Sequence, residues 1–423
     1  MSMRCEAAGS SPAPSKALAA AGRRAMARPM TSPDFYRIRR LPPYVFAEVN
    51  AMKAAARARG EDIVDLGMGN PDGAPPAHVI EKLAEVARDP RAHRYSASKG
   101  IAGLRRAQAG YYARRFGVEL DPDSEVIVTL GSKEGLANLA QAISAPGDVV
   151  LAPNPSYPIH QFGFIIAGAA IRSIPAAPGP DFFDILERAV RYTVPKPSVL
   201  VIGYPSNPTA YVADLAFYER VVGFAREHGL WVISDLAYAE IYFGDTPTPS
   251  ILQVPGAKDV AIEFTSMSKT YTMPGWRIGF AVGNPHLVGA LARVKSYLDY
   301  GAFTPIQAAA VAALNGPQDI VEANRRLYKA RRDCLVDCFG RAGWRIPPPE
   351  ASMFAWSPIP EPFRPLGSME FAKRLLAEAR VAVSPGVGFG EEGEGFVRIA
   401  LVENEQRLRQ AARGVKAFLA KGA

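Results

Sequence analysis

The sequence predicts an α/β protein: a mostly parallel mixed sheet with helices on both faces, followed by a smaller α+β domain. Three observations lead there. Short apolar runs alternate with amphipathic stretches from Glu61 onward. The strand–helix–strand order repeats often enough to require a sheet covered on both sides. The pattern then changes after about residue 304. At 423 residues the chain is also long enough to build two cores.

In chain order, residues 1–31 read as a disordered basic leader. Arg4, Lys16, Arg23, Arg24 and Arg28 are set against Glu6 alone, so this segment carries +4 of the net charge of +8. Its Ala/Ser/Pro-rich composition buries too little apolar surface to fold by itself. It lacks the apolar run of a secretory signal; a transit peptide, or a true start at Met26 or Met30, would also suit it. Residues 32–60 form an N-terminal segment with a helix near 44–59, expected to pack with the small domain. A large domain spans 61–304, with strands at 127–130, 149–152, 198–202, 230–234, 260–264 and 277–282 and helices at 132–143, 156–167 and 215–228. Thr304-Pro305 resembles a helix start. The small C-terminal domain, 305–423, follows with helices at 305–315 and 318–341, the proline run 347–349, strands near 353–356 and 396–401, and a last helix from Glu405.

Composition narrows the function classes. Hydrophobic content of 48% and charged content of 21% are those of a soluble globular protein. No apolar stretch approaches the ~20 residues of a membrane span. Zinc-finger spacing, a basic helix and aromatic-basic interleaving are all missing, so neither a membrane nor a nucleic acid is expected as partner. Of three cysteines, Cys334 and Cys338 share a helical face with no histidine nearby in sequence. They read as small core-facing residues in a reducing cytoplasm, not as metal ligands.

The chemistry-bearing residues cluster in a few motifs. In Ser266-Met-Ser268-Lys269-Thr, a lysine follows an apolar strand among hydroxyl groups, and such an amine can condense with an aldehyde. Ser266 and Ser268 can donate to phosphate oxygens, and Arg277 can clamp a dianion through two parallel bonds. Asp235 closes a predicted strand, where open α/β sheets gather functional groups, and its carboxylate can keep a pyridine nitrogen protonated. Tyr238, three residues on, and Asn207, presented by Tyr204-Pro-Ser-Asn207-Pro-Thr, can both donate to a phenolate oxygen. Gly131-Ser132-Lys133 sits where a strand becomes a helix, a phosphate cup without a dinucleotide fingerprint. Arg398 interrupts an apolar strand and wants an anion such as an α-carboxylate, or an internal partner such as Glu403. Taken singly, Lys269 reads equally as a surface lysine in a hydroxyl-rich turn, Asp235 as a helix cap and Asn207-Pro as a turn. Gly386-Val-Gly388-Phe-Gly390 reads as a loop. Together the set supplies an aldehyde-trapping lysine, a phosphate cup, a pyridinium carboxylate and a carboxylate clamp, an inventory that fits pyridoxal 5'-phosphate (PLP).

With those residues in place, the chain from about residue 35 to its C-terminus resembles the class I/II, fold-type I aminotransferases. The resemblance is carried by Gly67-Met-Gly69-Asn-Pro-Asp, Tyr95…Gly100, Gly131-Ser132-Lys133, Asn154-Pro-Ser-Tyr157-Pro, Ser206-Asn207-Pro-Thr, Asp235-Leu-Ala-Tyr238, Ser266…Lys269…Arg277 and Arg398. Gly-Ser-Lys-Glu-Gly-Leu, Asn-Pro-Ser-Tyr-Pro-Ile-His and Lys295-Ser-Tyr-x-Asp-Tyr look most like bacterial alanine (glutamate–pyruvate) transaminases; LL-diaminopimelate and methionine-type enzymes are neighbouring groups. The resemblance implies that Lys269 holds PLP and moves the substrate's Cα proton, that Asp235 pairs with the ring nitrogen, and that Asn207 and Tyr238 tune the phenolate. It further implies Tyr157 stacking on the ring, and Ser132, Lys133, Ser266 and Arg277 around the phosphate. Arg398, Asn207 and the Gly69 backbone would take the substrate carboxylate. Tyr95 would reach the partner's phosphate, making the active unit a homodimer. Animal-type aspartate transaminases carry a partner arginine for the second carboxylate in the segment matching 300–304. Here that segment reads Tyr-Gly-Ala-Phe-Thr, which favours alanine over a dedicated dicarboxylate site.

The implied reaction is a ping-pong transfer from alanine to 2-oxoglutarate, giving pyruvate and glutamate, in the cytoplasm. A diaminopimelate-, methionine- or aspartate-type aminotransferase, or a C–S lyase on the same scaffold, would share every cofactor residue. A PLP-binding sensor fused to a DNA-binding module would need an N-terminal domain larger than 1–31.

Overall fold

The computed structural model describes residues 35–43 and 45–422, so the expected leader lies outside the described residues. Twelve strands occur among them. The first, β1 (Val64–Asp65), is followed by β2 (Val126–Thr129), β3 (Val149–Asn154), β4 (Ala170–Pro175), β5 (Val199–Ile202), β6 (Trp231–Asp235), β7 (Ala261–Ser266) and β8 (Gly279–Gly283). The later ones are β9 (Phe354–Pro358), β10 (Val381–Ala382), β11 (Ser384–Pro385) and β12 (Phe396–Ala400). Strands β2 to β8 form one sheet in the order β2-β8-β7-β6-β5-β3-β4. Only β8 runs against its neighbours, pairing antiparallel with both β2 and β7.

Both faces of this sheet are buried over its central strands, which is why most of these read as largely apolar runs. Val126, Val128, Leu200 and Ile202 join one core with the helices Ala102–Phe116 and Leu215–His228. The alternate residues Ile127, Val199 and Val201 join a second core with Ser132–Ile143, Ile159–Ala167 and Pro285–Leu298. The strand β4, absent from the sequence expectation, lies at the sheet's edge and leaves Arg172 and Ser173 exposed.

Two expected boundaries move. The helix Thr304–Asn315 buries Ala309, Ala310, Ala313 and Leu314 in the same core as Val79 and Leu104. It therefore belongs with the large sheet, and the break placed at 304/305 falls one helix too early. At the other end, β1 pairs in parallel with β10, and Val64 and Leu66 enter the core around Phe339, Trp344, Phe371 and Phe418. Residues 64–66 thus belong to the small domain, whose second sheet is the antiparallel β11-β12-β9. The helix Phe46–Ala58 sets Val49 and Ala56 against Leu376 and Ala382 of the same domain. Cys334 and Cys338, both free thiols, face the helix Glu405–Leu419.

Candidate active site

Strand direction gathers the site. The parallel strands β3, β5, β6 and β7 end at Asn154, Ile202, Asp235 and Ser266. Because β8 is antiparallel to both β7 and β2, β2 ends and β8 begins at that same edge. Register fixes the lateral spacing: Gly279 is paired with Thr129 on one side and Ser266 on the other. The turns carrying Ser132, Arg277 and Ser266 therefore meet at one height. Loops after the other strands bring Tyr157, Asn207, Asp235 and Tyr238 to a shared cavity of about 290 Å³. From above, the small domain supplies Gly67, Gly69, Phe354, Ser384, Phe389 and Arg398.

Every residue singled out from the sequence lines this cavity except Tyr95. Tyr95 is 85% exposed and packs on Tyr300, with ring centroids 4.5 Å apart.

At one end, Gly131 takes φ +82° and leads into the helix Ser132–Ile143. A β-carbon there would stand 2.1 Å from Nη2 of Arg277, so glycine is what lets that guanidinium lie across the turn. Arg277 donates from Nη2 to the Leu130 carbonyl at 3.2 Å and from Nη1 to the Pro274 carbonyl at 2.9 Å. Ser266 caps the helix Met267–Thr270, its Oγ accepting from the Ser268 amide at 3.1 Å. Ser132 Oγ donates to the Thr265 carbonyl at 2.9 Å.

In the middle, Lys269 donates from Nζ to the Gly69 carbonyl at 3.0 Å. Burial, reinforced by the charges of Arg398 and Arg277, lowers its ammonium to about 8. Asp235 accepts from His160 Nε2 at 2.9 Å and from the Ala237 amide at 3.2 Å. His160 also meets Tyr157 edge-on at 5.9 Å. Burial pushes the Tyr238 phenol above its ordinary value, so it stays a proton donor.

At the far end, Arg398 lies between the rings of Phe354 and Phe389, 4.0 and 4.6 Å from their centroids. It donates to Asn207 Oδ1 at 2.9 Å and to the Gly67 carbonyl at 2.9 Å. Glu403, the internal partner considered from the sequence, instead faces Arg407.

Sequence reasoning gave no role to His160, although it stands in Asn-Pro-Ser-Tyr157-Pro-Ile-His160. It lies on the first turn of the helix that follows β3, and from there its ring reaches Asp235. Phe354 and Phe389 gave no such signal, since an aromatic in a small-domain strand or loop looks like core.

A seven-stranded sheet of this order thus carries a largely buried lysine, a buried carboxylate and Arg277 at its carboxyl edge, with Arg398 facing them from the small domain, an arrangement that suits an aminotransferase of the type I fold. The family model for aminotransferase class I and II matches residues 61–415, and the chain belongs to that family. It is 57% identical over 384 residues to the glutamate-pyruvate aminotransferase AlaC of Escherichia coli (strain K12), covering 91% of this chain and 93% of AlaC. It is 43% identical over 385 residues to the LL-diaminopimelate aminotransferase of Moorella thermoacetica, covering 91% of this chain and 98% of that one. Substrate-bound BacF from Bacillus subtilis superposes with a TM-score of 0.85 at 34% identity, over 90% of this chain and 97% of BacF.

The family is PLP-dependent. The cavity's own charges fit such a group: Lys133, Lys269, Arg277 and Arg398 line it against the single carboxylate of Asp235, while Lys53, also at its wall, is paired with Asp65 at 3.0 Å. A phosphate dianion and a substrate carboxylate would balance that excess.

Proposed function

We propose that this aminotransferase moves an amino group from alanine to 2-oxoglutarate, yielding pyruvate and glutamate in two half-reactions. The observation that carries the reading is Lys269, an amine lowered to about 8 and set between a phosphate cup and a carboxylate clamp. When bound, PLP supplies an aldehyde for the amine and a ring that accepts electrons. Lys269 would hold the aldehyde end of that group and, as an amine lowered to about 8, would move the proton at the substrate's Cα. Asp235, steadied by His160, keeps the ring nitrogen protonated, while Asn207 and Tyr238 donate to the ring oxygen. Tyr157 covers the ring face. Ser132, Lys133, Ser266, Ser268 and Arg277 hold the phosphate, and Arg398 orients the α-carboxylate with Asn207 and Gly69.

Alanine as donor is supported by the resemblance to AlaC and by the absence of a basic side chain from 300–304. The resemblance to an LL-diaminopimelate enzyme supports the runner-up. A homodimer suits the exposed aromatic surface of Tyr95, Tyr297, Tyr300 and Phe303, from which Tyr95 would reach the partner's phosphate. A cytoplasmic site accords with the free thiols Cys334 and Cys338; among the described residues no helix is long and apolar enough to cross a membrane.

The deciding assay pairs alanine, glutamate, aspartate, methionine and LL-diaminopimelate with pyruvate and 2-oxoglutarate. Alanine with 2-oxoglutarate should give the highest kcat/KM, and an LL-diaminopimelate value tenfold above it would overturn the assignment. Pyruvate and ammonia released from cysteine conjugates without any 2-oxo acid would mark a C–S lyase.

Gly131→Ala tests the phosphate end. Its β-carbon must displace Arg277 at a positive φ, losing charge-assisted bonds of about 1.5–3 kcal/mol besides the strain. Cofactor affinity should fall at least about tenfold, read as faster loss of PLP on dialysis; unchanged retention would remove Arg277 from the phosphate site.

A further inference from the structure

Lys295 is a lysine with no exposed surface at all, at the end of the helix Pro285–Leu298. An ammonium that deep persists only when paired. Its Nζ donates to Glu134 Oε1 at 3.0 Å and to Asp299 Oδ2 at 2.8 Å. Each carboxylate leads somewhere. The other oxygen of Glu134 accepts from the Leu130 amide at 2.7 Å, and the Leu130 carbonyl is the group that Arg277 grips. Glu134 therefore clasps the Leu130-Gly131-Ser132 turn from behind. Asp299 accepts from the Gly301 amide at 2.7 Å, and its main-chain oxygen accepts from Ser98 Oγ. Between Asp299 and Gly301 stands Tyr300, whose ring packs on Tyr95.

The difficulty is electrostatic. Glu134 lies in the first turn of the helix whose N-terminus faces the phosphate cup, so its negative charge opposes a phosphate dianion bound there. Removing that carboxylate would release the turn; leaving it bare would repel the ligand. We propose that Lys295 resolves this conflict as a positioning residue: it offsets the Glu134 charge, so the carboxylate can pin the phosphate-binding turn without weakening phosphate capture. The same ammonium braces the 299–301 turn against the segment that carries Tyr95. The proposal rests on the reading that the cup takes the phosphate of PLP, and it assigns Lys295 no contact with PLP or substrate.

The test compares PLP with pyridoxal, which has the same ring and aldehyde but no phosphate, titrated into apo-protein and followed by absorbance. Lys295→Met should reduce the preference for PLP over pyridoxal at least tenfold while the pyridoxal Kd stays within threefold of native. Glu134→Gln added to that variant should bring the preference back to within threefold, and Glu134→Gln alone should keep or raise it. Equal weakening of both ligands in Lys295→Met, or of neither, overturns the proposal. If Lys295→Met does not fold, the decision passes to the double variant and to Glu134→Gln. The proposal stands if both keep the native preference and falls if either loses it. Failure of the underlying cofactor reading would look different, since native protein would then bind neither aldehyde.

Discussion

Lys269→Ala protein should fold and still bind the ring and phosphate of PLP, yet transfer amino groups at about 10⁻⁴ of the native rate or less. Two proposed roles would vanish together: the amine that holds the aldehyde, and the base at Cα, a kind of proton transfer typically worth about 10²–10⁴. The visible absorbance that comes from joining a lysine to the aldehyde should be missing as well. The titration of Lys269 adds a signature. Burial first, then Arg398 and Arg277, bring it from an ordinary 10.5 down to about 8. Below that value the neutral amine grows about tenfold per pH unit, so capture of the aldehyde by apo-protein should speed up to about pH 8 and then level off. The stability effect has the opposite sense to that of a stabilised charge. Between pH 8 and 10.5 the unfolded chain holds more protons on this residue than the folded one, so folding stability rises with pH across that window. Below it the buried ammonium costs roughly 3 kcal/mol. Apo Lys269→Ala protein should therefore melt higher than native apo-protein at pH 7, with the gap closing toward pH 10. Turnover above a hundredth of native would remove Lys269 from its assigned role.

How much of this could be read from the residues depends on where each signal lies. Strands β3, β5, β6 and β7 are buried on both faces, so each appears as a mostly apolar run, with the buried Glu263 the one charge inside β7. Strand β4 sits at an edge with Arg172 and Ser173 in solvent, and its pattern dissolves into that of a loop. The two-residue β1 exists only because Val381–Ala382, more than three hundred residues away, offers it a partner, and no local pattern encodes such a pairing. The helix Thr304–Asn315 begins where the text changes character, but what it packs against is a tertiary fact. Within the site, all but one of the residues that residue type and spacing named as site residues do meet at the cavity. Tyr95 is exposed on Tyr300 and does not line its own cavity, which sequence spacing alone cannot tell. His160, Phe354 and Phe389 went unassigned because they act through neighbours, one on Asp235 and two on Arg398.

That aromatic clamp shapes the second large effect. Arg398→Met should lower kcat/KM for alanine and glutamate alike by about 10²–10³, because both present the same α-carboxylate and a lost charge-assisted contact of this kind costs about 2–5 kcal/mol. The native guanidinium is already fixed before substrate arrives, packed on Phe354 and Phe389 and tied to Asn207 and the Gly67 carbonyl. Little rotamer freedom remains to be lost on binding, so its energy goes into the contact. Arg398→Lys keeps the charge but neither the fork nor the flat surface, and should recover only part of the loss. These bonds also join Arg398 on β12 of the small domain to Asn207 on the large one, so a trivial loosening of the domains has to be separated from loss of the clamp. Alaninamide separates them, since it keeps the amine and Cα but lacks the carboxylate. Loosening would slow alanine and alaninamide together. Loss of the clamp would slow alanine alone and collapse the preference for it, and a preference unchanged in Arg398→Met would place the carboxylate site elsewhere.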